Sequence, residues 1–213
     1  MPGTLGAILC RTRYLDDVVR RLLAQGLEQL VILGAGFDTR AYRIAALDRI
    51  QVLELDLPGS VRLKRIRLEK VLGAVPGHVT LVGIDFDWQA LGAVLQDAGF
   101  QGGSKTLFLW EGVTQYLTAE AVKGTLEFVS AVGGAVAFTY VPQGIIDGSA
   151  RPDWFESLLS FARRAGSPFP LWPGSQGNRV LPGGPGIDAD RGHWGCRVPN
   201  TIPCSPWSQA ECL

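Results

Sequence analysis

Short hydrophobic runs alternate with segments of helical periodicity along most of this chain. Apolar and β-branched residues form strand-like runs at residues 30–33, 52–56, 79–85, 106–110 and 135–141. Apolar residues recur at helical spacing in residues 12–24, 61–72, 88–98, 119–131 and 154–164, and a short helix is expected to begin near Thr39. Strands that alternate with helices are typical of an α/β fold with a mostly parallel sheet.

The first strand-like run ends abruptly in a Gly-Ala-Gly turn, from Gly34 to Gly36, and the second ends in the acidic sequence from Glu54 to Asp56. Glycine lacks a Cβ, so the chain can turn sharply after the strand and a ligand can approach the backbone. The acidic end of the second strand faces the same crevice, where a carboxylate can accept hydrogen bonds from ribose hydroxyls. Gly34, Gly36, Glu54 and Asp56 are therefore predicted to bind an adenosine-type ligand.

Two residues after this turn distinguish between classes of ligand. The dinucleotide-binding fingerprint has a third glycine where this chain has Thr39, and the charge of Asp38 would repel a pyrophosphate. An acid at this place suits a ligand with a positive ammonium or sulfonium group and no phosphate, such as S-adenosylmethionine. Asp38 is also a suitable N-cap for the helix that follows, and both roles stay open. A dinucleotide-dependent oxidoreductase is the less favoured alternative.

Five motifs follow one another along the chain: RTRYLDD at residues 11–17, LGAGFDTR at 33–40, ELDLP at 54–58, DF at 85–86 and EGVTQYL at 111–117. In order and spacing they resemble the leucine carboxyl methyltransferase family, over residues 10–166. That family includes protein-phosphatase carboxyl methyltransferases and bacterial polyketide O-methyltransferases. The resemblance implies a Rossmann-like class I methyltransferase fold, a doubly wound sheet with strand order 3-2-1-4-5. Whether the terminal strands are present is left open.

The resemblance also implies roles for four residues outside the glycine turn. Arg11 would reach the carboxylate of the methionine half of S-adenosylmethionine, and Glu111 would contact the same half. Asp85 would accept a hydrogen bond from the adenine amino group, and Phe86 would flank the base. Each has a structural alternative: a solvated arginine for Arg11, a carboxylate bonded to loop amides for Glu111, a helix cap for Asp85 and core packing for Phe86.

Other charged and polar residues are predicted to serve the fold. Asp16 and Asp17 are expected on a polar face of the first helix, because adjacent helical residues point in different directions. The basic residues at 61–72 are expected on the solvated face of a helix that covers the sheet. Thr118 is predicted to cap the helix at 119–131. Tyr116 is expected either to shape the acceptor site or to pack against its neighbours, and packing is favoured.

Composition and charge narrow the class of protein. The chain has 213 residues, 46% of them hydrophobic, which is enough for one sizeable core. Its 20 basic residues balance 20 acidic ones, so neither nucleic acid nor an anionic membrane is indicated as a partner. The apolar runs are strand-sized and no signal-peptide pattern is found at the start, which predicts a cytoplasmic protein. The 4 cysteines and 2 histidines form neither a metal-ligand pattern nor a catalytic dyad, so no metal site and no catalytic residue is assigned.

The two ends of the chain differ from the middle. A glycine-bearing lead at residues 1–9 places the arginine motif near the start, so the helical lid that the family has before this motif is expected to be reduced or missing. Residues 1–166 are predicted to form the S-adenosylmethionine-binding domain. In residues 167–213 prolines and glycines interleave and no periodicity persists, which predicts an irregular tail. We hypothesise that a shift of reading frame replaced the native C-terminal sequence.

These observations predict an S-adenosylmethionine-dependent methyltransferase that acts on oxygen. The expected acceptor is a carboxylate or hydroxyl of a small molecule or of a peptide C-terminus. Catalysis of an in-line displacement can come mainly from holding the acceptor oxygen close to the methyl group, and a carboxylate is ionised near neutral pH without a general base. Two other hypotheses are a degenerate paralogue without catalysis, and a homodimer whose partner covers an exposed sheet edge.

Overall fold

The computed structural model describes residues 2–141 of the chain. The strands are β1 (Gln29–Leu33), β2 (Gln51–Asp56), β3 (Val79–Gly83), β4 (Thr106–Trp110) and β5 (Ala135–Phe138). The α-helices are α1 (Pro2–Ala24), α2 (Arg40–Arg43), α3 (Pro58–Leu72), α4 (Leu91–Asp97) and α5 (Ala119–Ala131). Short 3₁₀ helices lie at Ala45–Arg49 and Thr114–Tyr116.

The sheet has the predicted strand order. Its strands pair as β3-β2-β1-β4-β5, and each pairing is parallel. The α/β fold class is therefore confirmed. Because the strands are parallel, the loops that follow them lie at one edge of the sheet, which we call the carboxyl edge. The strand order changes direction between β1 and β4, the point at which such sheets open a crevice for ligands.

Successive residues of β1 supply two hydrophobic clusters on opposite faces of the sheet. Leu30 and Ile32 lie in a cluster with Leu15 of α1, whereas Val31 and Leu33 lie in a cluster with side chains of α4 and α5. Side chains of a strand alternate between faces, so a strand covered on both sides must be apolar at every position. In β1 and β4 the continuous hydrophobic runs 30–33 and 107–110 meet this requirement, whereas the first residue of each strand, Gln29 and Thr106, is polar and buried.

Several boundaries differ from the prediction. Helix α1 covers Pro2–Ala24 and so includes residues before the expected start at residue 12. Strand β3 ends at Gly83 and β5 at Phe138, both earlier than expected. Helix α4 begins at Leu91, because the carbonyl of Asp85 accepts from the N–H groups of residues 88 and 89 and forms a turn first. The predicted helix at 154–164 and the tail at 167–213 lie outside the described residues.

Four of the five basic residues predicted on the solvent face of α3 are exposed, namely Arg62, Arg65, Arg67 and Lys70, and the prediction is wrong for the fifth. The fifth, Lys64, is the buried side chain of the helix, while Leu63 and Ile66 are exposed. A helix of this composition is attached to the sheet partly through an ionic contact, described below. Across residues 2–141, no helix combines the length and the apolar character needed to cross a bilayer.

Candidate functional site

The Gly-Ala-Gly turn after β1 has the backbone that only glycine adopts easily. Gly34 has φ of +67° and Gly36 has φ of +41°. A Cβ on Gly34 would collide with the side chain of Val113, in the loop after β4, whereas a Cβ on Gly36 would meet open space. Gly34 is thus required by packing between two loops, and Gly36 leaves room for a ligand beside the backbone.

Asp56 ends β2 next to this turn. Its Oδ2 accepts the N–H of Gly36 at 2.7 Å, and its Oδ1 accepts the N–H of Leu57 at 2.7 Å. These two bonds orient the carboxylate at the carboxyl edge. A carboxylate offers about four acceptor positions, so it retains capacity for hydroxyl donors of a ligand.

Arg11 of α1 and Glu111, the residue after β4, form an ion pair at the same edge. The Arg11 Nε to Glu111 Oε1 distance is 2.6 Å, and the side chains are 28% and 13% exposed. The hydroxyl of Thr12 lies 3.3 Å from the same oxygen. The structural alternatives of a solvated arginine and of a carboxylate bonded to loop amides are therefore not what the structure shows. Both side chains border the crevice, and their predicted contact with a cofactor stays a prediction.

The side chain of Arg40, the first residue of α2, connects α1, the turn after β1 and the residue after β4. Its side chain is 2% exposed and pairs with Asp16 Oδ1 at 2.8 Å, with Glu111 Oε2 at 2.8 Å, and with Asp38. Burial acts to lower the pKa of Arg40, but the charges of these carboxylates outweigh it and raise that pKa above its ordinary value. We call this group the arginine cluster: Arg11, Asp16, Asp38, Arg40 and Glu111. Sequence analysis does not single out Arg40, and the only signal was its place in the LGAGFDTR motif.

The prediction that Asp16 lies on a polar face of the first helix is wrong. Asp16 is 5% exposed and pairs with Arg40 and, on its outer side, with Arg43. Burial acts to raise the pKa of Asp16, but the hydrogen bond from Arg43 and the charge of Arg40 outweigh it, so that pKa lies below its ordinary value. Asp17 does lie on a polar face, where it pairs with exposed arginines. Asp16 is three residues before the buried Val19, a helical spacing that placed it on the inner side.

Asp38 bonds to the start of α2, although the N-cap position itself is Thr39, whose side chain makes no capping bond. Its Oδ1 accepts the N–H of Arg40 at 2.7 Å, which satisfies the first amide of α2. Its Oδ2 pairs with the guanidinium of Arg40, and its backbone carbonyl accepts from Lys64 Nζ at 2.9 Å. A contact between Asp38 and a cationic ligand stays a prediction.

Glu54, predicted to bind the cofactor, is buried, and its side chain contacts other residues of the protein. Its Oε2 is 2.7 Å from Lys64 Nζ and accepts the hydroxyl of Tyr42 at 2.7 Å. Burial raises the pKa of Glu54 despite these contacts, and within the described residues its Oε1 has no hydrogen-bond partner. We call Tyr42, Glu54 and Lys64 the lysine triad. A direct cofactor contact of Glu54 stays a prediction that this burial does not favour.

Asp85 and Phe86 follow β3 at the carboxyl edge. Asp85 Oδ1 accepts the N–H of Asp87 at 3.1 Å, so the carboxylate caps a turn instead of helix α4. The half-buried ring of Phe86 packs in the second hydrophobic cluster, 6.5 Å between centroids from the ring of Trp110. The packing role of Phe86 is thus observed. Contacts of either residue with adenine stay predictions.

Known proteins resemble this chain over the part that contains these residues. The family model for leucine carboxyl methyltransferase matches residues 1–130. YktD of Bacillus subtilis, provisionally named an S-adenosyl-L-methionine-dependent methyltransferase, is 30% identical over 164 residues, which are 75% of this chain and 54% of YktD. A Mycolicibacterium gilvum protein with the same provisional name is 39% identical over 143 residues, which are 64% of this chain and 45% of that protein. The chain thus spans about half the length of these curated relatives.

A solved structure supports the fold. A provisionally named methyltransferase of Thermobifida fusca aligns with a TM-score of 0.56 at 15% identity, over 77% of this chain and 62% of its own. At that level of identity the likeness shows the architecture alone.

Proposed function

The chain belongs to the leucine carboxyl methyltransferase family, and on this premise we propose that it binds S-adenosylmethionine at the carboxyl edge and transfers the methyl group to an acceptor oxygen. The names of its relatives support the methyltransferase class over a dinucleotide-dependent oxidoreductase. The observation that carries the proposal is the pairing of Arg11 with Glu111 beside Asp56 and the open backbone of Gly36.

The pair of Arg11 and Glu111 suits the amino-acid half of the cofactor. A free amino acid has a carboxylate and an ammonium group on one carbon, so its receptor needs a cation next to an anion. Arg11 supplies a guanidinium that can bind a carboxylate by two hydrogen bonds, and Glu111 supplies an acceptor for the ammonium. The 28% exposure of Arg11 leaves it within reach of a ligand.

The residues of the glycine turn suit the adenosine half. Asp56, oriented by two backbone N–H groups, would accept hydrogen bonds from the ribose hydroxyls. The open space beside Gly36 would admit the ribose close to the main chain. Asp85 and Phe86, at the end of the next strand, would contact the adenine. The residues present therefore fit the cofactor that the family implies.

The proposed acceptor is a carboxylate or hydroxyl oxygen on a small molecule or a peptide C-terminus. S-adenosylmethionine supplies an electrophilic methyl group on its sulfonium, and the protein contributes mainly by positioning. A carboxylate acceptor needs no general base because it is already ionised near neutral pH. Tyr42 is not a candidate base, because burial and the charge of Glu54 raise the pKa of its hydroxyl.

Two other properties predicted from the sequence stay predictions, namely a cytoplasmic location and a homodimer whose partner covers an edge of the sheet. Light scattering coupled to gel filtration would measure the mass in solution and test the dimer. The balanced charge of the chain indicates neither nucleic acid nor membrane as a partner.

Calorimetric titration with S-adenosylmethionine and, separately, S-adenosylhomocysteine tests the proposal. The proteins are wild type, Asp56→Ala, and the matched control Asp48→Ala, which removes an exposed carboxylate before β2. We expect binding by wild type and control, and a loss of about tenfold or more in Asp56→Ala, since a hydrogen bond to a charged group contributes about 1.5–3 kcal/mol. A folded wild-type chain that binds neither compound would contradict the proposal.

A further inference from the structure

Two arginines hold the carboxylate of Glu111, one on each oxygen, and they differ in burial. Arg11 binds Oε1 and is 28% exposed, whereas Arg40 binds Oε2 and is 2% exposed. Within residues 2–141, Arg11 forms its ion pair with Glu111 alone, while Arg40 also pairs with Asp16 and Asp38. The two contacts to Glu111 are therefore not equivalent.

This difference decides which arginine can exchange partners. A ligand carboxylate that approaches from the crevice can replace Glu111 on Arg11, because Arg11 is accessible and gives up one partner for another of the same charge. The same exchange at Arg40 would leave Asp16 and Asp38 without their shared counter-charge. Removing one member of a buried ionic group is strongly destabilising, because the remaining charge stays buried without compensation.

We propose that Arg40 is a positioning residue, which holds Glu111 in place for the ammonium group of the ligand while Arg11 turns from Glu111 to the ligand carboxylate. This inference rests on the proposed function, since it concerns how the same site binds the amino-acid half of S-adenosylmethionine. Arg40 does not touch the ligand in this account. It acts through the carboxylate that it orients.

The arrangement explains why Glu111 can serve the ligand after losing Arg11. A carboxylate released by its only cation would be free to rotate, and ordering it again would reduce affinity. With Arg40 on Oε2, Glu111 stays oriented, and when Arg11 leaves, Oε1 keeps only its 3.3 Å contact with the hydroxyl of Thr12 and can accept from the ammonium of the ligand. Preorganisation of this kind raises affinity by lowering the entropy lost on binding.

The test compares Arg40→Lys with the matched control Arg43→Lys. Both variants keep a positive charge near Asp16, but only Arg40 contacts Glu111. Each protein is titrated with S-adenosylhomocysteine and with methylthioadenosine, which has the adenosine half but no amino acid. We expect Arg40→Lys to lose about tenfold or more in affinity for S-adenosylhomocysteine, with little change for methylthioadenosine. Arg43→Lys should change neither affinity.

Every other outcome contradicts either the positioning role of Arg40 or the proposed function. Equal losses of both ligands in Arg40→Lys, or equal losses of S-adenosylhomocysteine in the two variants, would show that Arg40 only supports the fold. Wild-type affinity for S-adenosylhomocysteine in Arg40→Lys would overturn the positioning role and leave the proposed function intact. A wild-type chain that binds neither ligand would overturn the proposed function and this inference with it.

A second measurement uses the wild-type protein, so it does not depend on the folding of a variant. The side-chain Nε–H signals of Arg11 and Arg40 are followed by ¹⁵N nuclear magnetic resonance during titration with S-adenosylhomocysteine. The Arg11 signal should shift on binding, while the Arg40 signal should stay in place and remain protected from hydrogen exchange. A shift of Arg40 without a shift of Arg11 would overturn the inference.

Discussion

Two buried ionic groups meet at the glycine turn, and they neutralise their charges to different extents. In the arginine cluster each carboxylate has at least one guanidinium partner, and the pKa of Asp16 lies below its ordinary value. In the lysine triad Glu54 has one cation, an Oε1 without a hydrogen-bond partner among the described residues, and a raised pKa. For Asp16 the cationic partners outweigh burial and lower the pKa, whereas for Glu54 burial outweighs the partners and raises the pKa.

The chemistry of the two cations accounts for this difference. Guanidinium has five N–H donors in a planar fork and can bind several carboxylates at once, as Arg40 does. The ammonium of Lys64 has three donors, and it spends one on the backbone carbonyl of Asp38 at 2.9 Å. Lys64 thus connects the triad to the glycine turn, but it leaves Glu54 less completely compensated.

The largest effect is expected from Arg40→Met. This change leaves Asp16, Asp38 and Glu111 near one another without their shared cation, so we expect the free energy of unfolding to fall by about 3–5 kcal/mol. Urea unfolding followed by circular dichroism measures it. The control is Arg13→Met, which removes an exposed helical pair with Asp17 and should lower stability by less than about 0.5 kcal/mol. Similar losses in the two variants would show that burial gives Arg40 no special role.

Lys64→Met should lower the free energy of unfolding less, by about 2–3 kcal/mol, because Glu54 can take up a proton when its cation is removed. The double variant Lys64→Met with Glu54→Leu should recover most of that loss, since it removes the buried carboxyl that has lost its cation. The same unfolding measurement checks both. A double variant less stable than Lys64→Met would mean that Glu54 is needed for its bond to Tyr42 more than the triad geometry indicates.

The smallest effect is a difference in pH dependence between the two groups. The folded-state pKa of Asp16 is lowered, so its contribution to stability is present above the ordinary value of 3.8 and is lost as pH falls through the folded-state pKa. For Glu54 the pKa is raised, so its contribution is present below the ordinary value of 4.5 and is lost as pH rises through the folded-state pKa.

Asp16→Asn and Glu54→Gln should therefore respond to pH in opposite directions. Relative to wild type, the deficit of Asp16→Asn should shrink on acidification, whereas the deficit of Glu54→Gln should shrink as pH rises. Thermal unfolding across the acidic range measures both against the wild-type curve. Parallel curves for the two variants would contradict the contrast between the cluster and the triad.

Much of the fold could be predicted because its signals are local. The alternation of apolar runs and helical periodicity predicts parallel strands, and continuous apolar runs such as β4 predict burial on both faces. Thr118 caps α5 as expected, with its side chain accepting from Ala121 at 3.2 Å. Element ends were less predictable, because Asp85 forms a turn that delays α4 and this depends on neighbouring loops.

The candidate site likewise has one part that could be predicted from the sequence and one part that could not. Glycine in a turn and an acid at a strand end are properties of a few adjacent residues, so Gly34, Gly36 and Asp56 could be placed at the edge from sequence. The partners of Arg40 and Glu54 could not, since a charged residue is ordinarily expected on the surface. Burial of these charges requires counter-charges that other elements supply.

The sequence alone determined the order of the elements, the turn after β1 and the acids at the carboxyl edge. Only the tertiary structure decided which charges meet. Arg11 and Glu111 are 100 residues apart in the chain, and Asp16 and Arg40 are 24 apart. Periodicity indicates which face of an element is buried, but it does not indicate which other element covers that face. The ionic partners are therefore set only when helix α1 packs against the sheet.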